Sequence, residues 1–343
     1  MQELEDYRLT MQTKLFGWNC KVDANKLNSI LSNVGLKTEI EDSAVIPVPN
    51  SDLLLVKNID IFTPIVDEPD IMGEIAAANV TNDLFALNVS KVSGMLVFLG
   101  IKKNMPNYIS EGILKGIKRF MEKKLDSKVL GGHTIYSGWP LIGGEASGFV
   151  KKDNLILKNL VKEGDKLIVT KPIGNQASMA AYRLRKNRPD LLENYSKASI
   201  NSAIKLAIDL MVTPLSYVVN TIYEYEDVSF IHSMTDVSGF GLAGHLKEML
   251  QKSNLSAVIT RIPYMHLARE LAYDFGYKYD DCEMAETAGG MLLSVDNDHA
   301  EEFSDRLSKD GVRNWIIGSI DNTNKPQNVR IAKDVEHLEI KKI

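Results

Sequence analysis

Met234-Thr235-Asp236-Val237-Ser238-Gly239-Phe240-Gly241-Leu242-Ala243-Gly244-His245-Leu246 is the stretch on which the reading of this chain turns. It sets an acid, Asp236, ahead of a Gly239-Phe240-Gly241 turn that runs into a helical pattern from Leu242 to Gln251. A glycine turn at a helix start can aim backbone N–H groups at phosphate. Taken alone, Asp236 reads as a turn or helix cap. Its meaning depends on what other acids the fold brings to it.

Three others sit in unusual settings. Asp42 follows Glu41 and precedes Ser43-Ala44-Val45, at the start of a strand. Asp60 interrupts the apolar strand Leu53 to Phe62, which Thr63-Pro64 ends. An unpaired carboxylate there is costly. Asp83 lies toward the end of an alanine-rich helical segment, Gly73 to Leu87, four residues after Asn79, so both can share one helix face. If such acids converge, two carboxylates about 5 Å apart repel by roughly 3 kcal/mol at an effective dielectric of about 20. Convergence therefore requires cations, and an all-oxygen set favours Mg²⁺ over zinc.

Further strands are expected at Lys91–Leu99, Lys128–Thr134, Leu141–Val150, Asp165–Thr170, Gly289–Val295 and Trp315–Gly318, and helices at Asn107–Lys124 and Ser196–Val212. Both halves mix strands and helices, an α+β (mixed α/β) class. The polar run Lys151-Lys152-Asp153-Asn154 marks the boundary, giving domains 1–155 and 156–343. In Lys128–Thr134 the strand is expected to run into a glycine turn at Gly131-Gly132-His133, a second candidate phosphate contact. Neither turn is a Walker A loop, and kinase signatures are absent.

At 343 residues, with 44% hydrophobic and 25% charged side chains, the chain has ample core for two domains. Forty basic residues against 45 acids leave a net charge of −5, which gives no general pull toward nucleic acid. Two cysteines, Cys20 and Cys282, exclude a disulfide scaffold and a four-cysteine zinc site. Five of the six histidines read as surface or packing residues, and His133 in its glycine setting is the exception. The polar N-terminus has no leader pattern and apolar runs are short, so a cytoplasmic protein with no membrane partner is expected. Near the N-terminus, Gly17-Trp18-Asn19-Cys20-Lys21 sets a lysine beside a thiol, a pair that can lower the thiol's pKa or contact phosphate.

In this order the motifs resemble the selenophosphate synthetase (selenide, water dikinase) family, in the superfamily of aminoimidazole ribonucleotide synthetase. Glu41–Val45 is similar to the family's E-D-A-A-V and Asp60–Asp67 to its D-F-F-x-P-I-V-D. Asn79–Leu87 follows N-x-x-S-D-x-F-A-M, Leu130–Thr134 follows G-G-H-[ST], and Met234–Leu246 is nearly the whole M-T-D-V-T-G-F-G-L-x-G-H-L block. The resemblance implies a two-domain fold whose N-terminal domains pair into a dimeric β-barrel, with a mobile N-terminal loop over about residues 1–38. It implies ATP and Mg²⁺ as substrate and cofactor and a small inorganic acceptor, with selenophosphate, AMP and phosphate as products. Asp42, Asp60, Asp83 and Asp236 fall on the positions that hold Mg²⁺ and phosphates, and Lys21 on the lysine required for catalysis. Gly131, Gly132 and His133 fall on the nucleotide contact made from the partner subunit. A need for K⁺ is left open.

Two departures stand out. Trp18 occupies the place of the family's catalytic Cys or Sec in G-[CU]-x-C-K, leaving Cys20 as the nearest thiol and a candidate for the catalytic role. Indole has no ionisable nucleophile. The family's D-P-Q-T-S-G-G appears as Met284–Gly290, keeping T-x-G-G. Three functions therefore compete: a dikinase that makes selenophosphate, an ATP hydrolase or phosphotransferase with another acceptor such as a reduced sulfur species, and a nucleotide-binding regulator.

Overall fold

A computed structural model describes residues 7–22, 24–36, 42–323 and 325–342. Residues 1–6, 23, 37 and 38 of the expected N-terminal loop, and residues 39–41, lie outside them. After a 3₁₀ turn at Gly17–Cys20 and helix α1 (Ala24–Asn33), the chain enters a five-stranded sheet. Its strands are β1 (Ala44–Pro47), β2 (Leu53–Phe62), β3 (Val92–Ile101), β4 (Val129–Tyr136) and β5 (Leu141–Lys151), in the order β1-β2-β5-β3-β4. All pairings are antiparallel except β3 with β4, which α3 (Asn107–Lys124) connects in parallel.

Helix α2 (Pro69–Phe85) covers one face of this sheet. It is buried almost all round, with Ala76, Ala77 and Ala78 fully inaccessible, because it packs on β2 and β5, on α3 and on the second half of the chain. Burial on every side, rather than along one stripe, marks a core position. Small side chains let its neighbours approach from every side.

The second sheet has six strands in the order β11-β8-β10-β6-β9-β7. These are β6 (Lys166–Val169), β7 (Ile231–Asp236), β8 (Ser256–Met265), β9 (Met291–Val295), β10 (Trp315–Asp321) and β11 (Val329–Ile340). Helices α4 (Asn175–Asn187), α5 (Lys197–Met211), α6 (Ser216–Ile222), α7 (Gly241–Leu250), α8 (Ala268–Phe275) and α9 (Asn297–Lys309) complete this half. No single helix among the described residues is long and apolar enough to cross a membrane.

One expectation is corrected. Gly131-Gly132-His133 is not a turn: it lies inside β4, paired with β3 in the register Leu96↔Gly131, Val97↔Gly132 and Phe98↔His133. A Cβ at Gly132 would come within 2.1 Å of the Val97 carbonyl oxygen, so the glycine permits close strand approach rather than chain reversal.

Candidate active site

The four aspartates reach one region from four elements. Asp42 precedes β1, Asp60 sits near the end of β2, Asp83 is on the last turns of α2 and Asp236 closes β7. Asp83 lies within hydrogen-bonding reach of Asp60 and Asp236, and it also feels the charge of Asp42. Burial, and then repulsion by Asp236, Asp60 and Asp42, raises the Asp83 carboxyl well above the usual range. Burial likewise raises Asp60, with Lys21 opposing it. Clustered acids of this kind are costly without a counter-charge.

Asn79, one turn before Asp83, ties the halves together. Its Nδ2 donates to Asp60 Oδ2 at 2.9 Å and its Oδ1 accepts from the Ala288 N–H at 3.1 Å.

Asp42 has its own support. Lys158 Nζ donates to its Oδ1 at 2.9 Å and to Glu248 Oε2 at 3.2 Å, and the Asp42 side chain is only 6% exposed. Burial pushes Asp42 up to about 6 against the pull of Lys158, with Asp236 adding to the rise. Burial also works on Glu248, but His245 and Lys158 overcome it and hold that carboxyl down at about 2. His245 Nε2 accepts from the Ser238 N–H at 3.0 Å, so its Nδ1 faces Glu248 at 3.4 Å. Lys158, Glu248 and the buried His245 thus brace Asp42 and the Ser238 turn. Lys158 and Glu248 stand outside the motifs, and His245 reads from sequence as packing. The roles of Lys158 and Glu248 depend on pairings across 90 residues and more.

The quoted turn has the expected form. Gly241 adopts φ +69°, and a Cβ there would meet the Met284 carbonyl oxygen at 2.5 Å. The 282–290 segment packs on this turn: Glu286 N–H donates to Ser238 O at 2.9 Å, and Val237 N–H to Gly290 O at 2.8 Å. Glu286, 2% exposed, accepts from the N–H groups of Gly174 and Asn175 at 2.7 and 3.0 Å, at the start of α4. Burial nevertheless lifts its carboxyl to about 8.

The 3₁₀ turn brings Lys21 to the same place. Its Nζ lies 4.1 Å from the Trp18 ring centroid and 5.8 Å from that of Phe240. Cys20 is half-buried against the core, one residue before Lys21. Gly131, Gly132 and His133 are exposed on edge strand β4, with β3 and β5 between them and β2, so this protomer does not bring them to the aspartates.

Whether these residues suit a metal can be tested on the donors. Asp42 Oδ2 is buried with no hydrogen-bond partner, and the four aspartates offer a metal only carboxylate oxygens. Among the described residues no three acidic, histidine or cysteine side chains close into a metal cage. Mg²⁺ fits that situation, because it takes one or two carboxylates and completes its shell with water and substrate phosphates.

Family models match the chain twice: AIR synthase related protein, N-terminal domain, over residues 40–150, and AIR synthase related protein, C-terminal domain, over residues 162–329. The chain is 34% identical over 339 residues to a selenide, water dikinase of Methanococcus maripaludis, covering 96% of this chain and 99% of that one. To the protein of that name from Methanocaldococcus jannaschii it is 32% identical, with 98% and 99% covered. The fold is similar to thiamine monophosphate kinase from Aquifex aeolicus (TM-score 0.67, 16% identity, 93% of this chain and 100% of that one). It is also similar to a chain of a HypE–HypF complex (TM-score 0.69, 17% identity, 90% and 96% covered). With the two family models matched in order and relatives above 30% identity along nearly its whole length, the chain belongs to the selenide, water dikinase family of AIR synthase related proteins.

Proposed function

We propose that this protein makes selenophosphate, converting ATP, selenide and water to selenophosphate, AMP and orthophosphate. The observation that carries the reading is the aspartate cluster: Asp83 packed against Asp60 and Asp236, Asp42 held beside them, and Lys21 alongside. Asp42, Asp60, Asp83 and Asp236 would hold Mg²⁺, which when bound supplies charge neutralisation for the triphosphate. Asn79 keeps Asp60 oriented, and Lys158 keeps Asp42 ionised against burial. Lys21 adds a positive charge where phosphate oxygens would gather, and the Ser238–Gly241 turn offers backbone N–H groups there.

The reading includes a homodimer formed by the N-terminal unit, 1–155, with 156–343 as the second unit. The outer face of the first sheet supports this. Ile46, Ile59, Leu96 and Phe149 all project from it, Ile59 at 67% exposure, and β4 leaves a free strand edge. Pairing there would place Gly131, Gly132 and His133 against a second protomer.

Trp18 favours a second reading, ATP hydrolysis or transfer to another acceptor, because no thiolate can form at that position. Chromatography of anaerobic reactions separates the two. AMP that forms only when selenide is added supports selenophosphate synthesis. AMP or ADP released at one rate with or without selenide supports the second.

A further inference from the structure

We infer that Trp18 is a positioning residue whose indole face holds the Lys21 ammonium beside Asp60, so that position 18 serves the site through a cation–π contact and not as a nucleophile. The inference rests on the nucleotide-site reading above and deepens it.

Local geometry makes the contact. Gly17–Cys20 is a 3₁₀ turn, closed by the Lys21 N–H donating to Trp18 O at 2.9 Å. At three residues per turn, residue 21 stacks directly over residue 18. The turn is fixed to the sheet at both ends of the tryptophan. Thr63 Oγ1 donates to Gly17 O at 3.0 Å, and the indole stacks on Phe62 with centroids 5.0 Å apart and planes at 26°. Phe62 follows Asp60 by two residues on β2, so the strand that carries the acid also carries the platform for the ring. Trp18 is 8% exposed.

The ammonium of Lys21 then sits 4.1 Å above that ring, inside the range in which a ring quadrupole attracts a cation. Gly239 flanks the pair: a Cβ there would lie in ordinary contact with both side chains, 3.6 Å from Lys21 Cδ and 3.8 Å from Trp18 Cβ. An exposed lysine has large rotamer freedom, which a phosphate contact would have to remove. A ring that already holds the chain in place removes part of it before the ligand arrives. A thiol at position 18 offers no such face.

The test is a double-mutant cycle on binding of a non-hydrolysable ATP analogue with Mg²⁺, by titration calorimetry, with no selenide present. Trp18→Leu is expected to weaken binding by roughly threefold to thirtyfold, the span of cation–π contacts from exposed to desolvated. Trp18→Phe keeps an aromatic face and should recover most of the loss, whereas Trp18→Cys should not. In a Lys21→Met background, Trp18→Leu should cost less than about twofold more, because its partner is already gone. If Trp18→Leu weakens binding equally in both backgrounds, the tryptophan acts through general packing and the inference is wrong. If Trp18→Leu binds as well as the parent, it is also wrong. A parent protein that binds no nucleotide overturns the site reading itself, an outcome distinct from either.

Discussion

Glu286 gives the sharpest stability expectation. Its carboxylate spans the N–H groups of Gly174 and Asn175 at 2.7 and 3.0 Å, in a setting with almost no solvent. Glu286→Ala strands both donors. At about 1–3 kcal/mol for each buried unsatisfied group, the expected loss is about 2–6 kcal/mol. Glu286→Gln is more informative because it resembles the protonated acid. Burial raises the folded-state value to about 8 from an ordinary 4.5, so the folded protein binds a proton that the unfolded chain has released. The stability this group contributes is complete below the unfolded value and is lost as pH rises toward 8. One proton corresponds to about 1.4 kcal/mol per pH unit, so between pH 5 and 7 the wild type should lose about 2–3 kcal/mol from this group. Lys171, which burial lowers to about 7, acts in the opposite sense above that pH, since its share is lost as pH falls from the ordinary lysine value through 7. Asp42, Asp60 and Asp83 are raised as well and contribute in the same sense, so the comparison with Glu286→Gln, rather than the window itself, isolates Glu286. Urea unfolding followed at pH 5, 6 and 7 for wild type and Glu286→Gln is the assay, with the difference between the two proteins as the readout. The Gln variant should gain on the wild type across the window. A constant difference at all three pH values would refute the reasoning.

Three other outcomes follow from the same structure. Lys158→Met should destabilise the protein by about 3–5 kcal/mol, because it leaves Asp42 and Glu248 buried without their shared cation; an unchanged thermal midpoint would count against that ion-pair network. Asp83→Asn should raise the midpoint of the metal-free protein by relieving repulsion from Asp60 and Asp236, and should also abolish the Mg²⁺-dependent part of nucleotide binding, with differential scanning fluorimetry and calorimetry reading the two effects. Ile59→Glu combined with Phe149→Glu should shift sedimentation from dimer to monomer while leaving far-ultraviolet circular dichroism intact, since both side chains project from the uncovered sheet face.

What the sequence made legible was local. The apolar run Leu53–Phe62, ended by Thr63-Pro64, and helical spacing in Asn107–Lys124 mark β2 and α3, whose observed bounds are the same. The Asn79–Asp83 spacing places two site residues on one helix face. The Gly131-Gly132 pair misled because adjacent glycines mark turns in isolation, while here Gly132 serves close contact with Val97 across a parallel strand pair. The support around Asp42 was hidden for a different reason. Lys158 and Glu248 lie outside the motifs, and only the fold brings Lys158 to an aspartate 116 residues away and to Glu248 90 residues away. Glu286 stands in the Met284–Gly290 segment that departs from the family motif, yet it holds the start of α4 from a loop over a hundred residues distant. Trp18 shows the converse: the substitution was plain in the sequence, but its partnership with Lys21 and Phe62 needed coordinates.

The central claim is that the aspartate cluster and Lys21 drive phosphoryl transfer from ATP to selenide. Anaerobic phosphorus NMR of the protein with Mg²⁺ and ATP, recorded with and without selenide, tests it most directly. The account expects selenophosphate, AMP and orthophosphate in equal amounts in the selenide tube and intact ATP in the other. ATP unchanged in both tubes, or consumed in both without a selenophosphate resonance, would contradict it.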